Sequence, residues 1–463
     1  MSIKQKEVVQ RIQWIKLQRF PIINNRPNKQ MGNAQGRGCF GGIQEDNQMG
    51  NAKKIKKLPT ITRAVSNAPT SSSSYWEHVT DDSESGGFSV AQFRTLAQRK
   101  GGIPERYRSR LWSAVTKNAR KQLQDTSDTP EMWEEDVYDK LYVAAAAPSS
   151  SLWNELNAIR NETERSRLIQ EQLLRPREKE LSSEQITEWG KTMRQLHLDI
   201  PRNSLLGGNV TAQRLVALGV AASVHNPKAG YMQGMDALAA TLLRHLNDRD
   251  AFWAFMVLCS DTLSGYFDDP VNHAAMTFEL WVFQDLLSEQ LPNVNYVLTS
   301  TFNSLFVAMD TPLEYEGKNL TFPPVEISFN VFSWFLRCFA GHLPEEHTYN
   351  VWDLFLARLD EGKSARAVMH AAALAIFNRL GASIEEQGGD GYKSKSLKME
   401  TIKTIVKQFM SDGNDGNSGS SMLLSSTEAS VFHKDVQMYL TLLEDGQKYQ
   451  ETCDKLKKKV QKV

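Results

Sequence analysis

The sequence predicts an all-α fold. Three observations carry that expectation. Apolar residues recur at helical spacing through one segment after another between Phe88 and Leu380, short polar or Gly/Pro breaks separate those segments, and few stretches alternate with the two-residue period of a strand. Composition divides the chain into a basic then Ser-rich tail over residues 1–87, a helical domain over 88–380, a flexible linker with a short helix over 381–426, and a C-terminal helix with a basic end over 427–463. The tail is rich in Gln, Asn, Gly and Lys and then runs "SNAPTSSSSYWEHVTDDSESGG", too little apolar surface to offset the entropy of ordering it.

The first helix is expected in "SVAQFRTLAQRKGG", where Gly101 and Gly102 stop it. "IPERYRSRLWSAVTKNARKQL" restarts at Pro104, near a first turn where the missing N–H costs nothing. The same periodicity predicts helices over Asn161–Leu174, Ser182–Leu198, Thr211–Ala222, Tyr231–Leu246, Asp250–Leu263, Asn272–Glu289, Ile327–Phe339, Glu345–Ala357 and Ala365–Leu380. Beyond these the chain thins into "GASIEEQGGDGYKSKS", a short helix near Glu400–Met410, and "SDGNDGNSGSS", which reads as flexible linker. A last helix is expected from about Thr427.

The composition, 41% hydrophobic and 23% charged over 463 residues, is that of an ordinary globular protein. Lys and Arg balance Asp and Glu at 54 each, which argues against a protein built as a whole to coat nucleic acid. The balance is uneven: Met1–Val65 holds 13 basic residues against 3 acidic ones. Four well-separated cysteines, Cys39, Cys259, Cys338 and Cys453, offer no C-x-x-C spacing, so a reduced, cytoplasmic protein without structural zinc is expected. No apolar run approaches the ~18 residues of a membrane span, and the N-terminus lacks the apolar core of a secretory signal; its Gln and Asn also fit a mitochondrial presequence poorly.

Some motifs mislead. "GRGCFGG" contains G-x-G-x-x-G at Gly36, Gly38 and Gly41 but follows no strand and opens no helix. Gly362, Lys363 and Ser364 look like the end of a P-loop, yet the earlier glycine position holds Ala357. No H-e-x-x-H pair and no G-x-S-x-G elbow is present. The chain is therefore not expected to bind a nucleotide or a metal by itself.

"LHLDIPRN" poses a different question, because Asp199 and Arg202 stand three residues apart around Pro201 where a helix should end. An exposed pair at that spacing is worth a few tenths of a kcal/mol, roughly. Arg is also the side chain best suited to grip phosphate, with five donors in a rigid fork and a permanent charge.

Together, "GGIPERYRSRLW", "LHLDIPR", "GYMQGM", "FWAFMVLCSDTLSGYF" and "SWFLRCFAGHLPEEHTYNVWDLFL", in that order, resemble the TBC domain, the GTPase-activating module for Rab-type small GTPases. The resemblance covers roughly Phe88 to Leu380 and implies a two-lobed multi-helix domain. Leu196, Asp199 and Arg202 match the family's arginine signature, and Tyr231, Gln233 and Gly234 its Tyr-x-Gln-Gly signature. By that resemblance Arg202 is an arginine finger and Gln233 a glutamine finger supplied in trans to a Rab-type GTPase in its GTP form, which would bring GTP and Mg²⁺ with it; the chain itself would need no cofactor. Pro201 would then fix the chain where helix becomes loop, Asp199 would steady the turn, and Gly234 would let the backbone after Gln233 approach a neighbour closely.

Arg108 and Trp112, four apart on a helix, suit a stacked pair and fall where the family's "GIP" block carries the same residue types; fold support is the favoured reading over partner contact. Trp334, with Phe335, Leu336 and Phe339, is expected in the core. Asn203 stands where the family most often has Thr, "SLLGGNV" makes a different loop behind the finger, the 95-residue separation of Pro104 from Asp199 implies an inserted helical segment around Leu152–Leu174, and "LEYEGKNLTFPP" looks like an inserted loop. The resemblance also implies vesicle trafficking and peripheral attachment to endomembranes. The basic tail suits weak attraction to an anionic membrane face, or is a solvated leader; it lacks the aromatic platform expected of a nucleic-acid binder. The rival from another class is a non-catalytic scaffold that binds a GTPase or another protein without stimulating hydrolysis.

Overall fold

Residues 89–99, 101–144, 150–177, 181–227, 229–267, 274–302, 313–315, 318–320, 328–388, 428–443 and 447–460 are described by the structure, a computed structural model. The basic tail, the helix expected at Glu400–Met410 and the glycine-rich part of the linker lie outside the described residues.

Helix α1 (Val90–Ala97) opens on a reciprocal cap: Ser89 Oγ accepts from the Gln92 N–H, and Gln92 Oε1 accepts from the Ser89 N–H. The left-handed glycines Gly101 and Gly102 turn the chain into α2 (Glu105–Thr126). A tight turn at Pro130–Trp133 leads to α3 (Val137–Ala144), α4 (Ser150–Ala158) and α5 (Glu162–Ile169). The last widens over Gln170–Leu174, burying Leu173 and Leu174. These helices occupy the stretch where an inserted helical segment is expected.

Four helices then build the part of the fold that carries the signatures: α6 (Ser183–Asp199), α7 (Ala212–His225), α8 (Met235–His245) and α9 (Asp248–Val257). Ser182, Thr211 and Asn247 cap α6, α7 and α9 with side-chain oxygens. Every residue from Leu215 to His225 is buried, so α7 is an inner helix, with α6, α8 and α9 packed around it and α9 also against α2.

Next come α10 (Ala274–Gln290) and α11 (Pro292–Phe302). The expected inserted loop contains a hairpin instead, with β1 (Leu313–Tyr315) antiparallel to β2 (Lys318–Leu320) and Leu313 opposite Leu320. Helices α12 (Ser328–Leu336), α13 (Glu345–Leu356) and α14 (Ala367–Gly388) follow. Two C-terminal helices, α15 (Ala429–Leu442) and α16 (Gln447–Val460), stand where one is expected. Helix α15 packs on α13 and α14, and α16 on α10. One continuous buried cluster runs from Phe93 to Leu456.

Two boundaries differ from the expectation for a stated physical reason. The helix expected from Tyr231 begins at Met235, because Gly234 adopts φ +100° and cannot be helical. The helix expected to reach Phe339 ends at Leu336, where the chain turns through Cys338 and Phe339 at φ +45° and +65°. Helix α14 runs past the boundary expected at 380. The stretch Leu359–Ile384 is also long and apolar enough to cross a membrane, against the expectation of none; it is mostly buried inside the fold, as a core helix would be.

Candidate functional site

Helix α6 ends at Asp199 and tightens into a single turn over Ile200–Arg202, with Pro201 inside it and the Asn203 N–H donating to the Ile200 carbonyl. Ile200 is buried and anchors the turn, while Arg202 is exposed. The expected steadying role of Asp199 takes a particular form. Asp199 is 5% exposed and accepts from Gln195 Nε2 at 3.0 Å on both oxygens and from the Tyr231 hydroxyl at 3.3 Å. No ion pair joins it to Arg202 among the described residues. The carboxylate thus ties the end of α6 to the Tyr231 segment, and the Arg202 guanidinium acts on it only through its charge among the described residues.

Tyr231, Met232 and Gln233 form the approach to α8, and Gly234 is the residue that turns the chain into it. A Cβ at Gly234 would lie 3.0 Å from Leu336 Cδ2 and Cγ, so glycine is required both for its φ and for this approach. Gln233 is half-buried and does not cap the helix; the Gly234 N–H is taken by Asp236 Oδ1 at 3.2 Å. Arg202 and Gln233 line one cleft, together with Asp199, Asn203, Asp236 and Arg337.

The loop behind Arg202 is held from two sides. Asn203 Oδ1 accepts from the Leu205 N–H at 2.8 Å, and its Nδ2 donates to Asp236 Oδ2 at 2.8 Å. Arg244 of α8 donates to the Leu205 carbonyl at 3.0 Å and the Gly207 carbonyl at 2.8 Å. Asn203, the departure from the commonest family residue, is therefore the bridge between the Arg202 turn and the start of α8.

Electrostatics follow from burial. Burial, with the nearby Asp236 charge adding to it, lifts the Asp199 carboxyl to about 6, against the hydrogen bonds from Gln195 and Tyr231. Burial and the Asp236 and Asp199 carboxylates raise the Tyr231 phenol well above its ordinary range, so it remains a donor.

Arg108 and Trp112 are buried away from this cleft and are not joined by stacking. Both hydrogen-bond Asp353 of α13: Arg108 Nε to Oδ2 at 3.1 Å and Trp112 Nε1 to Oδ1 at 2.8 Å. Arg108 also reaches Glu105, Glu346 and Asn350, and lies 5.3 Å from the Tyr349 ring centroid. Trp112 stacks on Trp352 at 5.9 Å. Trp334 is 1% exposed and packs against Phe339 and Phe377, in the core as expected.

Sequence reasoning missed Gln195, Asp236 and Arg337. Gln195 stands one helical turn before Asp199, a spacing that could have flagged it. Asp236 is the acid in the first turn of α8, a weaker signal. Arg337 reaches the cleft only through the turn after α12, which the helical pattern did not reveal.

An all-α domain with a polar, arginine-lined cleft between α6, the start of α8 and the end of α12 is the class of structure defined here. Residues 105–384 match the Rab-GTPase-TBC domain, and the chain belongs to that family. It is 31% identical over 144 residues to the yeast (Saccharomyces cerevisiae) GTPase-activating protein GYP3, a match covering 29% of this chain and 22% of that one. It is 28% identical over 173 residues to mouse (Mus musculus) Carabin, covering 37% and 34% respectively. The chain thus spans a fifth to a third of these relatives' lengths. Among solved structures, the Ypt/Rab-GAP domain of Gyp1p is similar at 12% identity with a TM-score of 0.44, covering 76% of this chain and 93% of that one.

Proposed function

We propose that this protein is a GTPase-activating protein for a Rab-type small GTPase in its GTP form, acting in vesicle trafficking, with Arg202 and Gln233 inserted in trans. The observation that carries the reading is the shared cleft: a guanidinium and a carboxamide, distant in sequence, line it, and neither side chain hydrogen-bonds to another among the described residues. Phosphoryl transfer to water spreads negative charge over the equatorial and leaving oxygens. Arg202 supplies permanent charge and a fork of donors for those oxygens, and Gln233 can donate to and accept from the attacking water. Both are held from behind: Arg202 by the Ile200 anchor and the Asn203–Asp236 bridge, Gln233 by the Gly234–Leu336 approach. GTP and Mg²⁺ belong to the partner in this reading. Peripheral membrane placement through the basic tail is part of the same proposal.

An arginine finger contributes about 10³ to 10⁵ in rate. Single-turnover hydrolysis by a panel of GTP-loaded Rabs should therefore be accelerated by the wild type and fall by at least about 10³-fold with Arg202→Ala, and also drop with Gln233→Ala. Full acceleration by both variants would overturn the assignment. Binding of GTP-loaded Rabs with no acceleration by the wild type would make the chain a scaffold instead.

A further inference from the structure

Two of the cleft's four charged side chains are already engaged. Asp199 is taken by Gln195 and Tyr231, and Asp236 by Asn203 and the Gly234 N–H. The other two are guanidiniums, Arg202 and Arg337, and neither makes an ion pair or a side-chain hydrogen bond among the described residues. That is unlike Arg108, Arg244, Arg366 and Arg379, which are all paired with carboxylates. Arg202 is exposed, but Arg337 is half-buried, and withdrawing a cation from water without a partner is unfavourable.

The backbone that carries Arg337 is itself strained. It is followed by two consecutive non-glycine residues in the left-handed region, Cys338 and Phe339, a conformation that persists only where the surroundings enforce it. The enforcing contacts are visible: the Phe339 N–H donates to the Trp334 carbonyl at 2.7 Å, and the Trp352 indole donates to the Cys338 carbonyl at 2.9 Å. The turn folds the chain back so that the Arg337 stem lies beside Gly234, 3.8 Å from where a Cβ there would sit. The turn's far end, Gly341, meets Ser204 of the loop behind Arg202. A side chain with no ion pair or side-chain hydrogen bond among the described residues is thus fixed between the two segments that present Arg202 and Gln233.

We propose that Arg337 is a second cationic arm of this site and contacts the phosphates of the nucleotide carried by the partner GTPase. The inference rests on the function proposed above for Arg202 and Gln233. Gln233 and Arg337 line the same cleft, so a group entering it to reach one comes within range of the other, and a phosphate, with several acceptor oxygens, can take bidentate hydrogen bonds from a guanidinium. Charge that accumulates on those oxygens in the transition state strengthens the contact as the reaction proceeds, so Arg337 acts on the rate of hydrolysis more than on encounter.

The test is single-turnover hydrolysis by a GTP-loaded Rab that responds to the wild type, titrated with wild type, Arg337→Ala, Arg337→Gln, Arg337→Lys and Arg202→Ala. Loss of one charge-assisted hydrogen bond is expected to lower the limiting rate about 10- to 100-fold for Arg337→Ala and Arg337→Gln. The half-saturating concentration should stay within about twofold if transition-state contact dominates, and Arg337→Lys should recover part of the rate. The Gln variant keeps much of the stem, so a rate loss shared by Ala and Gln with unchanged thermal unfolding excludes misfolding. An unchanged limiting rate, with or without a raised half-saturating concentration, would overturn the proposal, the raised value indicating a contact with the partner's protein surface. Should Arg202→Ala lose activity while Arg337 variants keep theirs, only this inference fails; should Arg202→Ala remain fully active, the underlying reading fails.

Discussion

Asp199 carries a cost that can be measured separately from activity. Its carboxyl titrates at about 6 in the folded protein, mainly because it is buried, against an unfolded value near 4. Between those values the folded state binds the extra proton, so Asp199 makes the protein less stable as pH rises from about 4 to about 6, and the full cost persists above that window. The span is about 3 kcal/mol for a shift of this size. Urea unfolding of wild type and Asp199→Asn at pH 4 and pH 7 should show the variant gaining relative to wild type at the higher pH. An identical difference at both would mean that the Asp199 charge is not desolvated.

At the scale of elements, the joint between α2 and α13 is the sharpest structural claim. Arg108 and Asp353 are both fully buried, with Trp112 as a further donor to the carboxylate. Removing one partner of such a pair leaves the other charge stranded and costs about 3 to 5 kcal/mol. Arg108→Ala should therefore lower the unfolding free energy by that amount, while Arg202→Ala, at an exposed residue without an ion pair among the described residues, should change it by less than about 0.5 kcal/mol. Chemical denaturation of the two variants side by side checks the contrast.

Most helices were legible because their apolar spacing and polar breaks are local properties of the chain. Pro104, Gly101 and Gly102 marked their junction correctly, and Glu345–Ala357 matches α13 to within one residue. What failed was decided by contacts remote in sequence. Tyr231–Gln233 has helical periodicity but is held in a turn by the Gly234 backbone and by the Tyr231 bond to Asp199. The Arg108–Trp112 spacing suggested a stack, whereas Asp353, some 240 residues away, takes both donors. The two signature residues were legible as a family pattern; their shared cleft and the approach of Arg337 required the fold.

For the molecule as a whole, the family match ends at residue 384, but the buried core does not. Helix α15 contributes Phe432, Val436 and Leu440, and Tyr449 of α16 donates to Glu279 at 2.9 Å. Burial alone would raise the Glu279 carboxyl, but hydrogen bonding to His370 and the charge of Arg366 hold it at about 2, so its contribution is present above about pH 4 and lost as pH falls toward 2. Each large apolar side chain of α15 adds about 2 kcal/mol by burial. Residues 89–388 alone should consequently unfold at a clearly lower temperature than residues 89–463. Equal melting temperatures would show that the last two helices merely decorate the surface.

Because α14, which ends at Gly388, and α15, which begins at Ala429, pack into one buried cluster though they are separate segments of sequence, the covalent thread and the folded body are not the same thing. A single backbone scission between those points would yield two polypeptides with one shared interior. The C-terminal piece would then behave as a tightly held subunit, and its escape would be governed by the opening of the helix packing rather than by the cut.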